Sequence, residues 1–420
     1  MPSILSLPIE LLVKIVRAGA DNSWSELDHH LRRRFLCDLS LTNSTLRPIA
    51  QAELHRFIVL TNPRVDDFLR APASAATLLA SLRRFAFFGY RRFTHVTESD
   101  QVAAIALALK AGEGLREVRL WDCAGPAIEQ FASATNLRKL SLCLFSSRPP
   151  PCPFRAPTLF FAHLAEIALD KVSFPVSTFH QLISPASTPS LRRLALGVVS
   201  LDSDGEPFDA ELRPCAILTN PAWQASRLSH LRLPFKSGAD LQHLRYLQDS
   251  APQRQLIIDV DLHYLALDPG LFHFKHVACT GSAGFDLGPW TDLDLSYSAD
   301  MLDALYRSLI AKAAKRPSAQ WIRLEEVWLD LPARIFGRGS ETPETAAERF
   351  LSRVERFVFA AEAAGVKVWA LPLQHVGDSL TDELERREIA KVYPDEMSRW
   401  LRGASWPGED WRGRSFASSP

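Results

Sequence analysis

Neither sign of charge prevails in this chain of 420 residues: Lys plus Arg number 48, and so do Asp plus Glu. A nucleic-acid binder draws affinity from a net basic face that releases counterions, so the balance argues against such a partner. The basic run Arg32-Arg33-Arg34 reads as a solvated helix face. Cysteine is equally spare. Cys37, Cys123, Cys143, Cys152, Cys215 and Cys279 include no pair at metal-knuckle spacing and outline no small secreted disulfide framework. Long apolar runs are missing too. The most apolar helical stretch, Val102 to Leu109, falls far short of the roughly 20 residues a membrane span requires. The opening MPSILSLPIELL carries Glu10 inside its apolar stretch and no basic leader, unlike a signal peptide. The expectation is a soluble protein of cytosol or nucleus with no membrane partner.

Catalytic patterns are absent as well. No GxSxG, HExxH, GxxxxGK[ST] or GxGxxG occurs. His29 and His30 are adjacent, so their rings leave a helix on different faces, and the histidines show no ligand spacing. The stretch from Cys279 to Gly284 is glycine-rich but lacks the basic residue a phosphate cradle needs, and reads as a loop. No enzyme, metal or cofactor is expected.

What the chain does have is a recurring hexapeptide, Leu-x-x-apolar-x-Leu. It appears as LREVRL from Leu115, LRKLSL from Leu137, LAEIAL from Leu164, LRRLAL from Leu191 and LSHLRL from Leu228. Looser copies are LRRFAF from Leu82 and LEEVWL from Leu324. Successive starts from Leu82 to Leu228 lie 33, 22, 27, 27 and 37 residues apart, bracketing a repeat of about 20–29 residues with insertions. Such a unit cannot bury its own apolar edge, so neighbours must stack, and a stacked array presents a surface rather than a pocket. By strand alternation the fourth and sixth positions point inward, and the third, fifth and seventh outward. The outward set is the expected target-binding face: Glu117, Arg119, Trp121, Lys139, Glu166, Asp170, Arg193, His230, Arg232, Glu326, Trp328 and Asp330. Its mixed signs suit a protein partner. An ordinary solvated face, or one covered by the chain's own loops, is the alternative. Cys123, ninth in LREVRLWDC, falls where leucine-rich repeats favour Asn or Cys and is expected to be structural.

The repeat is regular from about 115 to 233 and blurs between 234 and 323. There Gln255 to Asp261 reads as a strand, FKHVAC from Phe274 and WTDLDL from Trp290 as degenerate cores, and Asp300 to Lys315 as a helix. VERFVF imitates the hexapeptide, yet Phe350, Leu351, Val354, Phe357, Val358 and Ala361 keep helical spacing, so Glu344 to Ala364 is read as helix. Val366 to Leu371 would be the last strand and Asp378 to Val392 a capping helix. Earlier, Val65 to Leu82 and Ser99 to Ala111 have helical spacing, and the proline run from Arg148 to Pro153 and the polar Asp202 to Pro207 read as loops. The divisions drawn are a helical unit at 1–60, repeats at 61–375, capping helices at 376–401 and a loose tail at 402–420.

The first segment differs from the rest. Leu7-Pro8 is followed by Ile9, Leu11, Leu12, Ile15 and Val16 at helical spacing; Leu31, Phe35, Leu36, Leu39 and Leu41 mark a second helix. Leu46, Ile49, Ala50, Leu54 and Ile58 continue as a third. Three short helices in so few residues make a marginal core that tends to be completed by a partner. LSLPIELLVKIV followed by FLCDLSLTNSTLRPIAQAELHRFIVL resembles an F-box over residues 4–60, and the whole looks like the F-box/leucine-rich-repeat proteins common in fungi. Gly19 to Ser23 is an insertion relative to that pattern, and Leu39 to Leu46 stands where many F-boxes carry Val-Cys-x-x-Trp. The resemblance implies an α/β fold: an irregular leucine-rich-repeat solenoid, a curved parallel sheet with helices on its convex side, behind a three-helix F-box-like unit. It implies docking on a Skp-type adaptor of a cullin-based ubiquitin ligase through Leu7, Pro8, Ile9, Leu11, Leu12, Ile15, Leu36, Leu39 and Leu41. The alternative is that these helices only cap the array.

Overall fold

The structure, a computed structural model, describes residues 7–20, 26–70, 79–89, 96–110, 114–147, 160–197, 199–202, 214–220, 227–234, 238, 240–259, 276–279, 307, 326–330, 352–353, 355–360, 363, 367–371 and 391–392. It is a mixed α/β protein in which parallel strands alternate with helices and turns. The chain divides into two compact units, one built chiefly from Met1–Leu194 and the other chiefly from Arg213–Arg402.

The first unit opens with helices α1 (Ile9–Ala20), α2 (Glu26–Thr42) and α3 (Leu46–Arg56). Pro8 suits the helix start, where its missing N–H costs nothing, and its carbonyl accepts from Leu11 N and Leu12 N at 3.0 and 3.1 Å. Between α2 and α3, the Asn43 side-chain oxygen accepts from the backbone N–H groups of Thr45 and Leu46, satisfying donors that a helix start leaves without partners. One small core joins the three helices: Leu12, Val16, Leu36, Ile49 and Ala50, with Val13, Leu39, Leu46 and Leu54 packed against it.

The third helix stops at Arg56, and the chain passes straight into strand β1 (Phe57–Thr61). Ile58 is therefore a strand residue, and the expected boundary at 60 cuts through β1. The aromatic and β-branched run Phe57-Ile58-Val59 favours a pleated surface, and sheet pairing overrides the helical spacing carried over from Leu54. After α4 (Val65–Arg70) come β2 (Arg84–Phe88), α5 (Glu98–Lys110), β3 (Glu117–Gly125), α6 (Ile128–Phe131), β4 (Lys139–Ser147) and β5 (Glu166–Asp170). β1 to β5 pair in sequence order, all parallel. Beyond β5 follow β6 (Val172–Pro175), α7 (Val176–Ile183), β7 (Arg193–Leu196) and β8 (Val199–Asp202), with β6 and β8 forming a separate parallel pair.

Register turns the hexapeptide into layers. Phe85, Val118, Leu140 and Ile167 stand abreast at the fourth position, and Phe87, Leu120, Leu142 and Leu169 at the sixth. All are buried, as are the leading Leu82, Leu115, Leu137, Leu164 and Leu191. Burying one such side chain contributes roughly 1.5–3 kcal/mol, so these columns dominate the stability of the unit. Polar ties accompany them. Gln101 of α5 donates to Asn62 Oδ1 and accepts from Ala124 N, both at 3.0 Å, linking the turn after β1 to β3 through a buried amide.

A feature that residue types do not announce recurs just after the seventh position. Asp122, Leu144 and Lys171 have φ of 50°, 50° and 49°, in the left-handed region. The ladder between β3 and β4 skips there, from Trp121↔Cys143 to Cys123↔Phe145, and β6 begins immediately after Lys171. Cys123, Phe145 and Val172 are buried beyond the bend, so the hexapeptides from Leu115, Leu137 and Leu164 are each followed by a second short extended piece.

In the second unit, α8 (Pro214–Thr219), β9 (His230–Pro234), α9 (Asp240–Ser250) and β10 (Gln255–Asp259) continue the alternation. β11 (His276–Cys279), β12 (Glu326–Asp330), β13 (Lys367–Leu371) and β14 (Lys391–Val392) pair onward from β10 in parallel. Leu231, Leu233, Leu244, Leu247, Leu256 and Ile258 are buried. Residues 352–353 and 355–360 are helical with Phe357 and Val358 buried, as the spacing of VERFVF predicts. The expected capping helix over Asp378 to Val392 is corrected at its end: Lys391 and Val392 pair with Trp369 and Ala370 as strand. Of the loop assigned to Asp202 to Pro207, Asp202 instead closes β8, and the rest lies outside the described residues. The proline run from Arg148, the core at Trp290 to Leu295, most of the helix over 300–315, the loop at 332–343 and the tail at 402–420 lie outside the described residues. No helix among the described residues is long and apolar enough to cross a membrane.

Candidate interaction surfaces

The residues expected to dock an adaptor separate into two groups. Leu12 and Leu36 are buried, with 3% and 0% of their surface exposed, and Leu39 is half-buried against the same core. They hold the helices together, and Leu12 and Leu36 offer almost no surface to a partner. Leu7, Pro8, Ile9, Leu11, Ile15 and Leu41 are exposed, Ile9 at 56% and Leu41 at 77%. Leu11 and Ile15 are one turn apart on α1, and Leu7 precedes Leu11 by the same interval. They run beside the Leu12–Val16 stripe, so α1 is apolar over more of its circumference than its own core uses. Phe35 on α2, absent from the expected set, is also an exposed large apolar side chain. It sits next to the fully buried Leu36, and its sequence signal, two apolar neighbours where one stripe needs one, was readable.

The outward rows of the strands do not make an open platform. At the third position, Arg84, Glu117, Lys139 and Glu166 stand abreast, and Arg193 follows on the next strand, with signs that alternate. Arg84 pairs with Glu117 at 3.5 Å, Lys139 with Glu166 at 3.1 Å, and Arg193 with Glu166 at 2.7 Å. These are cross-strand ion pairs of the kind that stabilise a sheet. At the fifth position Ala86, Ser141, Ala168 and Ala195 are buried, small side chains lying below their taller neighbours, and only Arg119 is half-exposed. At the seventh, Trp121 is half-exposed while Cys143 and Asp170 are buried together, the thiol donating to Asp170 Oδ2 at 3.7 Å. Burial pushes the Cys143 thiol far up, and the Asp170 carboxylate pushes it further, so it stays protonated and unreactive.

The expected target face is corrected accordingly. Asp170 and Arg193 are buried and internally engaged, and Arg232 in the second unit is 3% exposed. Glu117, Lys139 and Glu166 are half-buried partners in the alternating row. His230 is half-buried, its Nδ1 at 2.8 Å from the Ser229 hydroxyl. Glu326, Trp328 and Asp330 fall on β12, in register with Lys367, Trp369 and Leu371 of β13. Among the described residues no cluster of three His, Cys, Asp or Glu could hold a metal ion. Compared with protein-family models and with curated proteins, the chain matches none.

Proposed function

We propose that the chain is the substrate-recognition subunit of a Skp-cullin-F-box ubiquitin ligase, in which the N-terminal helices dock the adaptor and the strand-bearing repeats hold a protein target. The chain performs no covalent step itself; bringing the target close to the ligase raises its effective concentration there. The observation that carries the reading is the exposed apolar pair Leu11 and Ile15, with Leu7 just before them, on a helix whose other stripe already fills a small core. An apolar set of this kind at the end of a folded unit is characteristic of a surface completed by a partner. The layered leucine columns support a leucine-rich-repeat solenoid as the target-holding part.

A pulldown of the full chain tests this. It should retain a Skp-type adaptor and a cullin under conditions where a known F-box protein retains both, and a pulldown empty of both overturns the reading.

A second reading has its own support. α3 runs without a linker into β1, and the Arg32 guanidinium lies 5.3 Å from the centroid of the Phe57 ring. Helices so closely joined to the first strand suit a cap on a protein-interaction scaffold unconnected to ubiquitin. Deleting residues 1–60 does not separate the two readings, because it removes nearly all of β1. Point changes on the exposed pair do: Leu11→Asp with Ile15→Asp abolishes adaptor capture by a receptor and leaves a capped scaffold's folding and partner binding unchanged.

A further inference from the structure

At the second position of the hexapeptide, one residue before the alternating row, the sign does not alternate. Arg83, Arg116 and Arg138 precede β2, β3 and β4, Ala165 precedes β5, and Arg192 precedes β7. Backbone hydrogen bonds lock these residues abreast. The carbonyl of Arg83 accepts from Arg116 N and Glu117 N at 2.8 and 3.1 Å, and that of Arg116 from Arg138 N and Lys139 N at 2.7 and 3.0 Å. The carbonyl of Arg138 accepts from Ala165 N and Glu166 N, and that of Ala165 from Arg192 N and Arg193 N. Neighbouring strands lie about 4.8 Å apart, so three consecutive arginines are held at that interval along one end of the sheet.

Arg116, Arg138 and Arg192 are exposed, and Arg83 is half-exposed with its Nη1 turned to the carbonyls of Ala80 and Leu82. Those acceptors carry no charge. The nearest carboxylates in the adjoining row, Glu117 and Glu166, are committed to Arg84, Lys139 and Arg193. Like charges side by side across strands are destabilising, and the adjoining row shows how the same strands avoid it. Arg83, Arg116 and Arg138 keep one sign on consecutive strands where the adjoining row alternates, and an anionic ligand would complement that charge.

We propose that this arginine row is a docking site for an acidic, extended segment of the protein target. The guanidinium forks match carboxylates in bidentate geometry, and the fixed interval along the row suits a chain lying across the strand starts. Nucleic acid fits less well. The chain as a whole is neutral, and the row has no interleaved aromatic residues on which bases would stack. The inference rests on the reading of the repeats as a target holder but not on adaptor docking.

Fluorescence anisotropy on the full chain tests it, with a labelled glutamate-rich peptide as probe and the same peptide carrying Gln for Glu as control. Wild type should bind only the glutamate peptide, and Arg116→Gln with Arg138→Gln should weaken it roughly tenfold and flatten its salt dependence. The exposed, off-row pair Arg33→Gln with Arg64→Gln should leave binding unchanged, and the row variant should still capture adaptor. Equal affinity of the row variant and wild type, no preference for Glu over Gln, or tighter binding to single-stranded RNA or to phosphatidylserine vesicles than to the peptide overturns the proposal. Loss of adaptor capture by the wild-type chain contradicts the ligase reading and leaves the peptide result standing.

Discussion

Glu166 is the hinge of the charged row on the first unit. It meets Lys139 on one side and Arg193 on the other, and only 9% of the Arg193 side chain is exposed. Removing the carboxylate takes from a nearly buried guanidinium its 2.7 Å ion-pair contact, and losing such a contact at depth is costly. Glu166→Gln should lower stability by about 1–3 kcal/mol in denaturant unfolding. Glu117→Gln, whose partner Arg84 is 36% exposed, should cost under about 1 kcal/mol. Equal losses at the two sites would show that depth along the row has no energetic weight. The same residues read differently from sequence alone. Alternation correctly separates the inward columns from the outward rows, but it cannot tell an outward residue that faces a partner from one that faces its neighbour. Asp170, Arg193 and Arg232 are buried because of what lies beside them in space, which one strand's spacing does not encode.

At the scale of the element, the bend after the hexapeptides from Leu115, Leu137 and Leu164 is the feature the sequence concealed. Asp122, Leu144 and Lys171 share a left-handed backbone with no residue type in common, and none is the glycine or asparagine that would advertise it. A non-glycine residue held there costs about 1–2 kcal/mol, offset by the strands it joins. Lys171→Gly should therefore leave stability unchanged or raise it by up to about 1 kcal/mol, whereas Lys171→Val should lower it by about 1–2 kcal/mol. Thermal unfolding of the two variants checks the pair, and a loss on Lys171→Gly would contradict the strain. The third helix offers a complementary lesson. Its apolar spacing runs on into Ile58, but the helix ends at Arg56 because Phe57–Thr61 gains a parallel neighbour in Arg84–Phe88. Local periodicity stops being informative where a distant strand competes for the same residues.

For the molecule as a whole, the parallel α/β architecture was legible because the leucine columns impose it repeatedly. One helix imitating the hexapeptide, VERFVF, was separable by its longer apolar stripe. No linker separates α3 from β1, so sequence offers no composition change at that join. Spacing identifies which residues of α1 and α2 are apolar, but only packing divides Leu12 and Leu36, which make the core, from Leu11 and Ile15, which are left outside it. That division carries the central claim. A calorimetric titration of purified Skp-type adaptor into the full chain tests it most directly, alongside the Leu11→Asp, Ile15→Asp variant. Both substitutions replace exposed side chains, so cooperative unfolding should persist in the variant. The account predicts saturable binding by wild type that falls at least roughly tenfold in the variant. No heat of binding with wild type, or equal affinity for the two proteins, would contradict it.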